Sequence, residues 1–84
     1  MPDAKKSALV LIQTEIGAES KVMDELMKIP EIKEAYAVYG TYDIVTKIET
    51  DSLEKIREIV TNKIRRLPDI RTTVTMIVVE ERAK

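Results

Sequence analysis

Apolar and polar positions along this chain fall into six successive segments. Ala8-Leu9-Val10-Leu11-Ile12 is an unbroken apolar run, too short for a typical helix, and predicts a first strand over Ser7–Glu15. An uninterrupted run of this kind is buried on both faces. Gly17-Ala18-Glu19-Ser20 breaks it. A helix is then expected from Glu19 or Ser20 to Ile29. Val22, Leu26 and Ile29 form its apolar stripe, Met23 and Met27 widen it, and Asp24 and Lys28 form an exposed pair. Pro30 closes the helix, because it lacks a donor and restricts the residue before it.

Two strands follow. In Ile32–Tyr39, simple alternation puts Ile32, Glu34, Tyr36 and Val38 on one side and Lys33, Ala35, Ala37 and Tyr39 on the other. Tyr42–Glu49 puts Tyr42, Ile44, Thr46 and Ile48 opposite Asp43, Val45, Lys47 and Glu49. Thr50-Asp51-Ser52 ends the sheet segment. Asp51 and Glu54 then stand at capping-box spacing before a helix running to Leu67, striped by Leu53, Ile56, Val60, Ile64 and Leu67. Lys63, Arg65 and Arg66 complement its carbonyl end, and Pro68-Asp69 closes it. The last strand is Ile70–Glu81, with Thr72, Val74, Met76 and Val78 on one side and Thr73, Thr75, Ile77 and Val79 on the other.

Strand, helix, strand, strand, helix, strand with right-handed crossovers is an α+β, ferredoxin-like βαββαβ arrangement. It is a four-stranded antiparallel sheet with both helices on one face. A lead of residues 1–6, one domain over 7–81 and a tail of 82–84 are expected. The first and last strands are apolar on both faces, while the helices hide only one. Each large apolar side chain left in water forfeits about 1.5–3 kcal/mol. The open face is therefore expected to pack on a second copy, giving a dimeric α/β sandwich.

Composition narrows the chemistry. The 84 residues carry 14 Lys and Arg against 15 Asp and Glu, a balance that argues against a nucleic-acid surface. No apolar run approaches the roughly 20 residues that span a bilayer, and the polar N-terminus does not suggest export. No membrane partner and a cytoplasmic location are expected. The chain has no cysteine and no histidine, which removes disulfides, thiolates and the commonest general base and metal ligand. No metal, no cofactor and no enzymatic activity are expected. The high share of charge, 35%, with few side-chain amides points to a heat-loving source.

Tyr39-Gly40-Thr41-Tyr42-Asp43 joins the two middle strands and is the most chemically equipped stretch. Gly40 permits a tight reversal and leaves backbone N–H groups uncovered. Free N–H groups suit the carboxylate of an amino acid, and Asp43 suits its ammonium; hydroxyls of Thr73 and Thr75 add contacts if the last strand lies close. The plainer alternatives are a hairpin corner whose Asp43 accepts backbone hydrogen bonds, with Thr73 and Thr75 as strand filler. A different class of function is a small dimeric α+β-barrel-type enzyme using Tyr42 and Asp43.

The chain resembles the effector-binding (RAM) domain of the Lrp/AsnC transcriptional regulators. Ile32 to Ala35 with Ala37 resembles that family's V-x-x-A-x-x-V-x-G, and Gly40-Thr41-Tyr42-Asp43 its G-x-Y-D. Leu67-Pro68-Asp69-Ile70, with Thr73-Val74-Thr75 and Ile77-Val78, resembles L-P-G-V … T-x-T-x-I-V. The resemblance implies sheet-to-sheet dimers, assembly toward an octamer-like ring, and amino-acid effectors held between dimers. It carries the effector role onto Gly40, Thr41, Tyr42, Asp43, Thr73 and Thr75. The family's helix-turn-helix has no counterpart in these residues, so a stand-alone sensor without direct DNA binding is expected, acting by co-assembly with full-length regulators. Asp69 stands where the family usually has Gly.

Overall fold

A computed structural model describes residues 5–84; of the expected lead 1–6, residues 1–4 lie outside it. The elements are β1 (Lys6–Thr14), α1 (Glu19–Leu26), β2 (Ile32–Ala37), β3 (Ile44–Thr50), α2 (Leu53–Ile59), a π-helical turn (Val60–Ile64) and β4 (Ile70–Ile77). Lys6, expected in the lead, is already in β1. The strands form one antiparallel sheet in the order β2-β3-β1-β4, which is the ferredoxin-like arrangement.

Alternation along β1 and β3 builds the core. Ala8, Val10 and Ile12 on β1 and Ile44, Thr46 and Ile48 on β3 are fully buried beneath the helices, with Val22 and Leu26 of α1 and Ile56 and Ile64 of the second helical stretch. The one polar member of this set, Thr46, donates its hydroxyl to the carbonyl of Val10 at 3.2 Å, so its burial leaves that donor paired.

Several local expectations are corrected. Ile32 pairs with Ile48 but Glu34 with Lys47, so Lys33 is an extra residue in β2. This bulge turns Ile32 onto the core face with Ala35 and Ala37, where simple alternation had placed it with Glu34 and Tyr36. β2 also ends at Ala37 and β3 begins at Ile44, so Val38–Asp43 is a longer corner than a tight hairpin. Lys28 pairs with Glu25 at 3.0 Å rather than with Asp24, and Met27 at the end of α1 is exposed. The cap of α2 is Ser52, whose hydroxyl accepts from the Lys55 N–H at 3.1 Å; Asp51 lies one residue too early. The helix then widens, with the Arg65 N–H reaching the Val60 carbonyl at 2.9 Å. Ile59 and Val60 share the buried face with Ile56 at i+3 and i+4 spacing, while Leu53 of the expected stripe stays 51% exposed.

The other face of the sheet is open. Leu9, Leu11 and Val45 are half-buried there, and Tyr36, Val74 and Met76 are exposed. β4 ends at Ile77, and the Val78 N–H still bonds the Ser7 carbonyl at 2.9 Å. The tail then crosses one corner of the open face, where Glu81 accepts from Lys47 Nζ at 2.9 Å. That hydrogen bond is the main reason the Lys47 ammonium is held above the usual lysine range. The crossing is polar and leaves Val79 exposed, so it does not cover the apolar patch.

Candidate functional site

Three connections meet at one end of the sheet. β1 ends there and α1 begins, β2 turns into β3, and the second helical stretch runs into β4. The β2–β3 corner is tied down at both ends. The Val38 N–H bonds the Asp43 carbonyl at 2.9 Å, and the Asp43 N–H bonds the Ile12 carbonyl at 2.9 Å. The Asp43 side chain makes a further tie, Oδ2 accepting from the Thr14 N–H at 2.9 Å. Gln13 Nε2 donates to the Thr41 carbonyl at 2.8 Å. Between these ties the backbone is bare: none of the described backbone hydrogen bonds uses an N–H from Tyr39 to Tyr42. Gly40, at φ +157°, takes a conformation that side-chain-bearing residues rarely adopt, and open space lies where a Cβ would stand.

Against this corner lies an open hollow of about 470 Å³, lined by Glu19, Ala37, Val38, Tyr39, Gly40 and Asp43. It offers two carboxylates over a small apolar floor. One oxygen of Asp43 is engaged by Thr14, which leaves the other free to accept. Hydrogen-bond donors and acceptors of this kind, converging on an apolar concavity, suit a small zwitterion.

Of the sequence-derived candidates, Gly40 and Asp43 line the hollow, Thr41 is held beside it through its carbonyl, and Tyr42 is half-buried next to Asp43. Thr73 and Thr75 are elsewhere. Thr73 stands opposite Ile12 on the far side of β1 and lines a second hollow with Arg65 and Arg71. Thr75 lines a groove between α2 and β4 with Leu53 and Ile77. Within one chain, then, the threonines and the corner do not meet. Glu19 and Tyr39 also line the hollow and were not among those candidates. The signal for Glu19 was topological: in a βαββαβ chain the start of the first helix and the middle corner share one end of the sheet.

Asp69 answers the departure from glycine. It sits at φ +71°, the left-handed conformation that glycine takes most easily and Asp tolerates. Its carbonyl accepts from the Glu15 N–H at 2.9 Å, and its carboxylate pairs with Lys21 at 3.2 Å.

Comparison with known proteins gives one answer. The Lrp/AsnC ligand binding domain matches residues 7–84. The HTH-type transcriptional regulator FL11 of Pyrococcus horikoshii is 37% identical over 73 residues, covering 87% of this chain and 48% of that protein. The chain therefore spans about half the length of the curated relatives it matches. FFRP-DM1, solved by crystallography, is 46% identical with a TM-score of 0.84, covering 88% of this chain and 99% of that one. A transcriptional regulator from Neisseria meningitidis, solved as a complex with L-Met, shares the fold at a TM-score of 0.84 and 14% identity, over 94% of this chain and 53% of that one. The Pyrococcus relatives agree with the heat-loving source expected from composition.

Proposed function

This chain belongs to the Lrp/AsnC ligand-binding domain family, and from that premise we propose that it is an amino-acid-sensing module of transcription regulation. The observation that carries the reading is the corner itself: bare N–H groups from Tyr39 to Tyr42 above a hollow that also holds the Asp43 and Glu19 carboxylates. In this reading the N–H groups take the effector carboxylate and Asp43 takes its ammonium. Ala37 and Val38 receive aliphatic parts of the ligand. The regulator that was solved with L-Met has the same fold and supports the ligand class.

Assembly is the second part of the proposal. The open sheet face, with Tyr36, Val74 and Met76 exposed, packs on a second copy. Dimers then assemble further toward an octamer-like ring and join full-length Lrp/AsnC regulators. Thr73 and Thr75 enter an effector site only where another copy supplies them. The named relatives are transcriptional regulators, and no catalytic use of Tyr42 and Asp43 is proposed.

Calorimetry with a panel of amino acids tests the sensing role. Binding of one amino acid, lost in Asp43→Asn, is the expected result. Absence of binding across the panel at millimolar concentration overturns it.

A further inference from the structure

The start of β4 carries a second hollow of about 380 Å³, lined by Arg65, Ile70, Arg71, Thr72 and Thr73. Its charges are arranged unusually. Among the described residues, neither Arg65 nor Arg71 has a carboxylate within ion-pair distance. The acid closest in sequence, Asp69, is turned to Lys21. The hydroxyls of Thr72 and Thr73 enter none of the described hydrogen bonds. Two guanidinium groups thus line one hollow with no ion-pair partner among the described residues.

The backbone explains how Arg71 comes to be there. Thr14 pairs with Ile70 but Gln13 with Thr72, so Arg71 is the extra residue of a bulge. A bulge breaks the alternation that otherwise fixes where a strand side chain points, and such irregularities gather beside binding sites. Arg65 reaches the same hollow from the residue that closes the π-helical turn. Two separate backbone irregularities thus deliver the two cations.

We infer that this hollow is an oxyanion site: it binds a carboxylate or phosphate group between Arg65 and Arg71. Guanidinium forks match both groups in geometry, and charge-assisted hydrogen bonds are the strong ones. The site lies within one chain and is separate from the corner hollow, so it stands whether or not the corner binds an amino acid. The oxyanion has two sources of the same chemistry. One is a dissolved small anion. The other is a carboxylate of a second copy.

The test is a titration of the whole chain with inorganic phosphate, replacing chloride at constant ionic strength and followed by amide NMR. Saturable shifts at Arg65, Arg71, Thr72 and Thr73 are expected, with affinity reduced at least about tenfold in Arg71→Gln and in Arg65→Gln. Shifts that chloride reproduces, or that persist unchanged in Arg71→Gln, overturn the site. Sedimentation velocity separates the sources. A mass that falls as phosphate is added identifies the resident group as a neighbouring copy's carboxylate; an unchanged mass identifies a dissolved anion. Amino-acid calorimetry on Arg71→Gln, unaltered from wild type, keeps this outcome distinct from that of the corner.

Discussion

Asp43 accepts the Thr14 N–H through Oδ2 at 2.9 Å, tying the β2–β3 corner to the last residue of β1. The same carboxylate is the group proposed to take an effector ammonium, so its two roles have to be separated by choice of substitution. Asn keeps an acceptor oxygen for Thr14 and removes the charge. Asp43→Asn is expected to unfold within about 0.5 kcal/mol of wild type in urea while losing amino-acid binding. Asp43→Ala leaves the N–H of Thr14, a buried residue, without its partner and is expected to cost about 1–3 kcal/mol.

The open sheet face makes a prediction about mass. Val74 and Met76 stand on it, 37% and 45% exposed in the single chain. A carboxylate placed there has to be desolvated for two sheets to meet. Val74→Glu is expected to weaken self-association at least about tenfold, which sedimentation equilibrium measures directly. Wild type that stays a monomer at micromolar concentration would remove the sheet-to-sheet dimer from the proposal.

Glu31 supplies a pH dependence. Its carboxyl lies below the usual glutamate range, first because its own backbone N–H bonds it and also because Lys63 stands 3.4 Å away; burial opposes both. A depressed folded value means that the contribution is present above the unfolded value and lost as pH falls through the folded one. The stability difference between wild type and Glu31→Gln should therefore be largest near neutrality and shrink on acidification through the carboxylate range. Because the pair is near the surface, the difference should stay under about 1 kcal/mol in urea unfolding.

The left-handed residue Asp69 predicts a selective tolerance. Asn adopts this conformation readily, so Asp69→Asn should lose only the contribution of the exposed Lys21 pair, under about 1 kcal/mol. A β-branched residue at φ +71° is strained, and Asp69→Val should cost about 1–3 kcal/mol. Thermal unfolding of the two variants side by side reads the difference.

The core predicts the largest losses. Ile48 is fully buried and faces Ala8 and Ile32 across the sheet. Ile48→Val should cost about 0.5–1.5 kcal/mol and Ile48→Ala about 2–5 kcal/mol in denaturant unfolding, the second being a large part of what a domain of this size has.

Element order, the buried face of β3 and the Gly40 corner were legible in the residues, because strand alternation and helical stripes are local properties read off neighbours; the unbroken apolar run of β1 did not tell its two faces apart. What failed was register. Lys33 and Arg71 each add one residue to a strand, and nothing in the local pattern separates a bulged residue from a paired one. The first bulge moved Ile32 across the sheet; the second delivered an arginine to a hollow that periodicity gave no reason to look for. Within one chain Thr73 and Thr75 sit across β1 from Asp43, a separation that no local pattern shows.

By itself, then, the order of side chains determined the sequence of elements, the buried face of β3 and where the chain turns. These follow from burying apolar groups and from the few residues that permit a reversal. Only the tertiary structure decided that Glu19 and Asp43 line one hollow, that Arg65 and Arg71 share another with no ion-pair partner among the described residues, and that Glu81 reaches Lys47. Those relationships depend on how the sheet registers and where the helices end, and such long-range geometry is set by the packing of the whole chain rather than by any one stretch of it.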